Sequence, residues 1–212
     1  GEYAVAYKLT YALQFLPLAF VAALYPGMSN VAQNDRAALP SLLRGSLRLM
    51  MVASVPLSAL LSSLAYIIVP MLYGKQFEGS IAPLVVLPWV LIPIFLDFPI
   101  GSLLNATNRA GKKTLAMGIT MLVNVIANAL LIPTMGPVGA AWAGVISFVI
   151  LFALGWWFAR SDIDSPWLAK LLAQGLGAAG LTWLAVHFLT PVMTSFFAIL
   201  FAGAMAFVSL FL

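Results

Sequence analysis

IAPLVVLPWVLIPIFLDFPIGSLLNATNRAGKK, residues 81–113, decides how the rest of this chain is read. Its first part, up to Thr107, is almost wholly apolar, yet it holds Asp97 and the prolines Pro83, Pro88, Pro93 and Pro99. The stretch closes on Asn105, Asn108, Arg109, Lys112 and Lys113. Its length and apolarity predict a membrane-crossing helix. Proline is tolerated in such a helix because neighbouring helices, hydroxyl side chains or water satisfy the carbonyls it frees. A carboxylate inside the span costs roughly 2.5–3.5 kcal/mol. Asp97 is therefore expected to face other helices or a wet cavity rather than lipid.

Composition agrees with that reading. Of the 212 residues, 63% are hydrophobic and only 8% charged, against about 25% charged in a soluble domain. The chain is predicted to be an all-α, polytopic membrane bundle. The net charge of +4 does not point to nucleic acid, because the bases sit in short connections between apolar runs, as topology signals do. With no cysteine, disulfides and thiolate metal sites are excluded, and no cofactor is expected. The opening Gly1 and a C-terminus inside an apolar run predict a fragment truncated at both ends, without a cleavable signal.

Seven apolar runs follow one another, at 4–29, 49–72, 81–107, 114–133, 138–159, 170–190 and 192–212. Each has about the 20 residues a helix needs to cross the hydrocarbon. Connection 30–48 carries Arg36, Arg44 and Arg48; connection 108–113 carries Arg109, Lys112 and Lys113; connection 160–170 carries Arg160 and Lys170. The alternate connections offer only Lys75. Positive charge accumulates on the cytoplasmic side, so a multi-pass protein of the inner (plasma) membrane is predicted, with its C-terminus cytoplasmic.

Three runs bear polar side chains at helical spacing. Tyr3, Tyr7 and Tyr11 lie at i, i+4, i+8, with Lys8 and Gln14 near the same face. They form either an interfacial aromatic belt with a snorkelling lysine or a cavity wall. Ser54, Ser58, Ser62 and Tyr66 make a second ladder, and Thr120, Asn124 and Asn128 a third. Such residues pack or hydrogen-bond helices together, or else line a pore. Gly136, Ala140 and Gly144 form a row of small residues suited to close helix approach. The last two runs hold few polar residues and are expected at the periphery.

Several motifs are noise in this context. Gly175–Gly180 spells the dinucleotide fingerprint but lies in an apolar span rather than after a strand. Asn105-Ala-Thr107 spells a glycosylation sequon on the expected cytoplasmic side. His187 lacks a second ligand at metal spacing. No nucleophile, base and acid can be assembled from connections this short, so an enzyme is not expected.

Several segments recur in an order that carries a family resemblance. Gly1-Glu-Tyr-Ala-Val-Ala-Tyr-Lys-Leu leads to Tyr25-Pro-Gly-Met-Ser, then Leu72-Tyr-Gly-Lys-Gln-Phe, then Gly101-Ser-Leu-Leu-Asn-Ala-Thr-Asn-Arg. Asn124–Pro133 then runs into Gly136-Pro-Val-Gly-Ala-Ala-Trp-Ala. Over residues 1–144 the chain resembles the polysaccharide-biosynthesis flippases of the MOP superfamily, which include O-antigen and lipid II flippases. The resemblance implies two pseudo-symmetric lobes with a substrate cavity between them. Residues 1–159 would supply five helices of the C-terminal lobe, and residues 160–212 two additional peripheral helices. A missing N-terminal lobe would be the partner.

The implied cargo is a polyprenyl-diphosphate-linked saccharide, flipped from the cytoplasmic to the outer leaflet by alternating access about discontinuous helices. Lys8 would then meet the diphosphate inside the span, with Arg44, Arg48 and Arg109 at the cytoplasmic entrance. Tyr7, Tyr11, Gln14, Asn124 and Asn128 would meet sugar hydroxyls. Asp97 would couple to a proton or sodium ion, or else be a buried acid held by neighbouring amides or hydroxyls. The alternatives are a cation-coupled multidrug antiporter of the same superfamily and an integral-membrane glycosyltransferase.

Overall fold

The computed structural model describes residues 1–162 and 165–189, with side chains up to Val186. The expected seventh run (192–212) and the His187 side chain lie outside the described residues. The rest is helical, joined by short turns: α1 (Glu2–Ala12), α2 (Phe15–Asn34), α3 (Leu39–Ser63), α4 (Ala65–Tyr73), α5 (Ile81–Val86), α6 (Leu91–Ala106), α7 (Ala110–Met135), α8 (Pro137–Ala159) and α9 (Ser165–Leu189). Among the described residues, 6 helical spans are long and apolar enough to cross a membrane. The chain is a multi-pass helical membrane bundle.

The span that organises the sequence is a rod in pieces. A 3-10 turn at Lys75–Ser80 leads into α5, a second at Leu87–Val90 interrupts the rod, and α6 completes it. Pro88 lies in the interruption, where the missing amide and the ring both oppose a regular α-turn. Just before it, a serine on α3 meets the backbone of the rod: Ser62 Oγ donates to the Val85 carbonyl oxygen at 2.6 Å. The serine ladder of α3 thus faces the bundle, with Ser54, Ser58 and Ser62 buried, while Tyr66 beyond the break at Leu64 is exposed. Ser62→Ala is expected to cost about 1 kcal/mol, read as a lower thermal midpoint in detergent; an unchanged midpoint would mean that the carbonyl finds another donor.

The second span starts ten residues earlier than its apolar run predicts. The expected connection 30–48 is only 35–38, and Arg44 and Arg48 stand on the exposed side of α3. Leu39, Leu43, Leu47, Met50 and Met51 are buried on its other side, so the segment is an amphipathic first stretch of helix rather than a loop. Pro40 in its first turn suits a helix start.

Two turns set the geometry around the candidate site. After α6, Asn108 is left-handed (φ 58°), the Asn108 amide donates to the Asn105 carbonyl, and the Arg109 amide donates to the Leu104 carbonyl. This is a Schellman closure, and it turns the chain directly into α7. Between α7 and α8, Gly136 takes φ 57° and ψ −134°, a conformation open essentially to glycine, and Pro137 starts α8. The close approach expected of Gly136, Ala140 and Gly144 is made instead by Gly139, whose Cα faces the Leu131 carbonyl of α7 with no space for a side chain. Gly136 is the turn itself, and Gly144 packs on Leu87 of the interrupted rod.

α6 lies at the centre, packed against α2, α3 and α8, while α7 packs mainly on α8. Phe95, Leu96, Ile100, Leu103 and Leu104 of α6 are fully or almost fully buried. In lipid such contacts are favoured by packing rather than by release of water. Apolar side chains of α2 and α7, among them Phe15, Leu18, Met121, Leu122 and Ile126, face outward. α9, expected at the periphery, runs along α3 with Leu168, Leu171, Ala178 and Thr182 buried. Gly175 meets Met51 of α3, whereas Gly177 and Gly180 face open space. The fingerprint spelled by these glycines is thus one packing contact and two exposed positions.

Candidate functional site

Asp97 sits on the central helix, so its side chain turns into the bundle, where it is buried. Its Oδ2 accepts from the ammonium of Lys113, on the first turn of α7. The two side chains are only 13% and 16% exposed. Among the described residues, no group donates a hydrogen bond to the buried Asp97 Oδ1. Space for this carboxylate comes from Gly155 of α8, where a Cβ would stand 3.3 Å from Oδ1. The lysine stem passes Gly101, where a Cβ would stand 3.2 Å from Cε. The pair forms part of the wall of a cavity of about 420 Å³, together with Gln14, Ser102, Asn105 and Phe148.

A second hollow, of about 660 Å³, adjoins the first, and Met117, Phe148 and Leu151 line both. The tyrosine ladder of α1 forms one wall, with Tyr7 and Tyr11 stacked at 4.3 Å between ring centres and Tyr11 tilted against Phe148. The amide ladder of α7 forms the other wall. Asn128 Nδ2 donates to the carbonyl and side-chain oxygens of Asn124, at 2.8 and 3.0 Å. Asn124 Nδ2 donates to Ser147 Oγ of α8 at 3.0 Å, and that hydroxyl donates to the Ala143 carbonyl. The two readings of this ladder therefore hold together: it joins α7 to α8 and it lines the hollow. Thr120 Oγ1, buried on the same wall, has no partner among the described residues. The joined hollow presents phenols, amides and hydroxyls over an apolar floor, with one ion pair near one end.

Arg109 stands at the turn between α6 and α7. Its guanidinium donates to Thr107 Oγ1, to the Phe158 carbonyl, to Ser161 Oγ and, at 2.6 Å, to Asp162 Oδ2. With Arg36 it lines a small polar pocket of about 270 Å³. Connections 35–38, 107–109 and 160–162 therefore meet at one end of the bundle, the grouping that their positive charge predicts.

The residues singled out in sequence separate accordingly. Tyr7, Tyr11, Asn124 and Asn128 share the larger hollow, and Gln14 and Asp97 share the smaller one. Lys8 is exposed and lines neither. Arg44 lies over the Trp167 ring, 5.8 Å from its centre, and Arg48 is likewise on the outside of α3. Asp97 is held by a lysine, not by the amides or hydroxyls that sequence reasoning offered. Lys113, which the sequence offers only as a topology base, and Ser147 were missed, whereas Thr120 belongs to the ladder already singled out. The available signal for Lys113 was the acid itself: a buried carboxylate calls for a counter-charge, and the first bases beyond the following turn are at 109–113. Among the described residues, no group of three His, Cys, Asp or Glu is placed to hold a metal ion.

Comparison with known proteins gives three findings. Residues 1–82 match the family model described as polysaccharide biosynthesis protein. Over 151 residues the chain is 26% identical to the probable low-salt glycan biosynthesis flippase Agl15 of Haloferax volcanii, covering 71% of this chain and 32% of that protein. The fold matches that of the lipid II flippase MurJ in an inward closed conformation, with a TM-score of 0.72 at 19% identity, over 96% of this chain and 45% of the other. The chain thus spans about a third of the archaeal relative's length and under half of the length of the solved structure. The matched relative and solved structure are flippases by name, not enzymes.

Proposed function

We propose that the chain, whose family match is to a polysaccharide biosynthesis protein and whose relative and solved neighbour are flippases by name, is part of a flippase of the MOP superfamily and forms the wall of a path along which a lipid-linked saccharide crosses the membrane. The observation that carries this reading is the joined hollow between α1, α6, α7 and α8. Its phenols and carboxamides suit sugar hydroxyls, which both donate and accept hydrogen bonds. Its openness along α1 and α7, whose spans are the least buried of the six, suits a second lobe facing them. In this reading the lobes rock about the interrupted rod, and the saccharide, carried on a polyprenyl diphosphate, passes from the cytoplasmic to the outer leaflet. A coupling proton or sodium ion at Asp97 belongs to the same proposal.

The rival on the same architecture, a cation-coupled drug antiporter, calls for an unmatched acid in the cavity. Among the described residues the only acid lining either hollow is Asp97, already paired with Lys113. An integral-membrane glycosyltransferase calls for catalytic acids and bases, and among the described residues the hollows hold only the Asp97–Lys113 pair and tyrosines.

The test is transport of a fluorescent prenyl-diphosphate saccharide by the full-length protein in liposomes. Asn128→Leu removes a sugar-facing amide at the edge of the ladder and is expected to slow flipping about tenfold, the value of one hydrogen bond in a desolvated site. Wild-type protein that leaves this lipid unmoved while extruding a cationic dye against a proton gradient would sink the proposal in favour of the antiporter.

A further inference from the structure

We propose that Lys113 is the residue of this chain that receives the anionic headgroup of the transported lipid, and that Asp97 is a place-holder that keeps its ammonium positioned until the headgroup arrives. This assignment rests on the lipid-linked saccharide reading and adds to it a named charge and an exchange.

The three bases at the start of α7 behave differently. Arg109 is committed to Asp162 and the neighbouring turn. Lys112 is exposed, 6.0 Å from the centre of the Phe158 ring. Only Lys113 turns inward, along a corridor that Gly101 leaves open, and among the described residues it is the only base lining either hollow. Its position is thus not that of a topology anchor.

Asp97 is a poor match for a purely structural pair. A buried ion pair is stable when the remaining lone pairs are also satisfied, and here, among the described residues, Oδ1 is buried with no partner while only Oδ2 meets the ammonium. The glycine opposite, Gly155, leaves room around that oxygen and supplies no side-chain donor. At rest the pair is neutral, so the cavity holds no bare charge in the membrane. An ammonium has three donors and no fixed orientation. It can turn toward a phosphate oxygen in the cavity while leaving the carboxylate.

The competing carboxylate has a second consequence. A transport site must bind well enough to load and weakly enough to release. A lysine with a carboxylate waiting beside it meets that demand, because re-forming the pair offsets the loss of the phosphate.

Binding of farnesyl diphosphate to the purified protein in detergent tests this, with farnesol as the uncharged control. The neutral pair Asp97→Asn with Lys113→Gln avoids leaving a buried carboxylate alone, and is expected to bind the diphosphate about tenfold more weakly or worse. Asp97→Asn alone, with the competitor removed, is expected to bind it about threefold tighter or better. A merely structural pair predicts no such opposition of sign. Equal binding by wild type and neutral pair, or a loss in Asp97→Asn as large as in the pair, overturns the assignment while leaving the transport reading intact. Wild type that binds farnesyl diphosphate no better than farnesol overturns both. Tighter binding of farnesyl diphosphate than of inorganic pyrophosphate identifies a lipid headgroup as the source of the anion; the reverse order identifies a soluble anion and overturns the proposal.

Discussion

Lys113→Leu is expected to lower the stability of this bundle by about 3–5 kcal/mol, the cost of leaving a buried charge without its partner. The effect is asymmetric because the two side chains differ in reach. Asp97 is short, lies on the central helix, and has its other oxygen already unsatisfied, so it has nowhere to go. Lys113 is on the first turn of its helix, and its long stem can carry the charge toward the water-facing end. Asp97→Asn should therefore cost much less than Lys113→Leu, and the neutral pair with Lys113→Gln should recover most of the loss. Unfolding followed in mixed detergent micelles measures all three. Equal stability for the lysine variant and wild type would mean that the carboxylate is neutral or hydrated and that the ion pair contributes nothing.

Gly139→Val is expected to disrupt the α7–α8 hairpin as severely. A Cβ at this position runs into the Leu131 carbonyl, which is backbone and cannot swing aside. Overpacking of this kind costs about 1–3 kcal/mol for the smaller Gly139→Ala, and valine adds two methyl groups to the same collision. The hairpin carries the amide ladder and Ser147, so a splayed pair should lose transport as well as monodispersity in size-exclusion chromatography. Gly177→Ala is the control, since a Cβ there meets nothing within 4 Å; alanine in place of a helical glycine should be stabilising by about 0.5–1 kcal/mol. Like behaviour of the two variants would remove the close approach as the reason for Gly139.

The sequence made the apolar architecture legible, because runs such as 114–133 and 138–159 have no reading in water. Proline spacing announced the interrupted rod, and i+4 spacing brought Tyr7, Tyr11, Asn124 and Asn128 to one hollow. The start of α3 was hidden by hydropathy. Arg44 and Arg48 dilute the mean over 39–48, although Leu39, Leu43 and Leu47 mark one buried stripe. Lys113 was hidden by its neighbours: in a cluster with Arg109 and Lys112 it counts as a topology signal, and only the fold shows that one of the three turns inward. Lys8 shows the reverse error. Depth within an apolar run says nothing about direction around the helix, and one residue beyond Tyr7 is about 100° away.

The serine that meets the Val85 carbonyl has a mechanical side. A kink left loose would absorb motion, each half of the rod pivoting without effect on its surroundings. Because Ser62 clamps the interruption to α3, a twist applied to α6 passes into that neighbour as torque. The interruption is thereby one of the places where the rod is coupled to the rest of the protein.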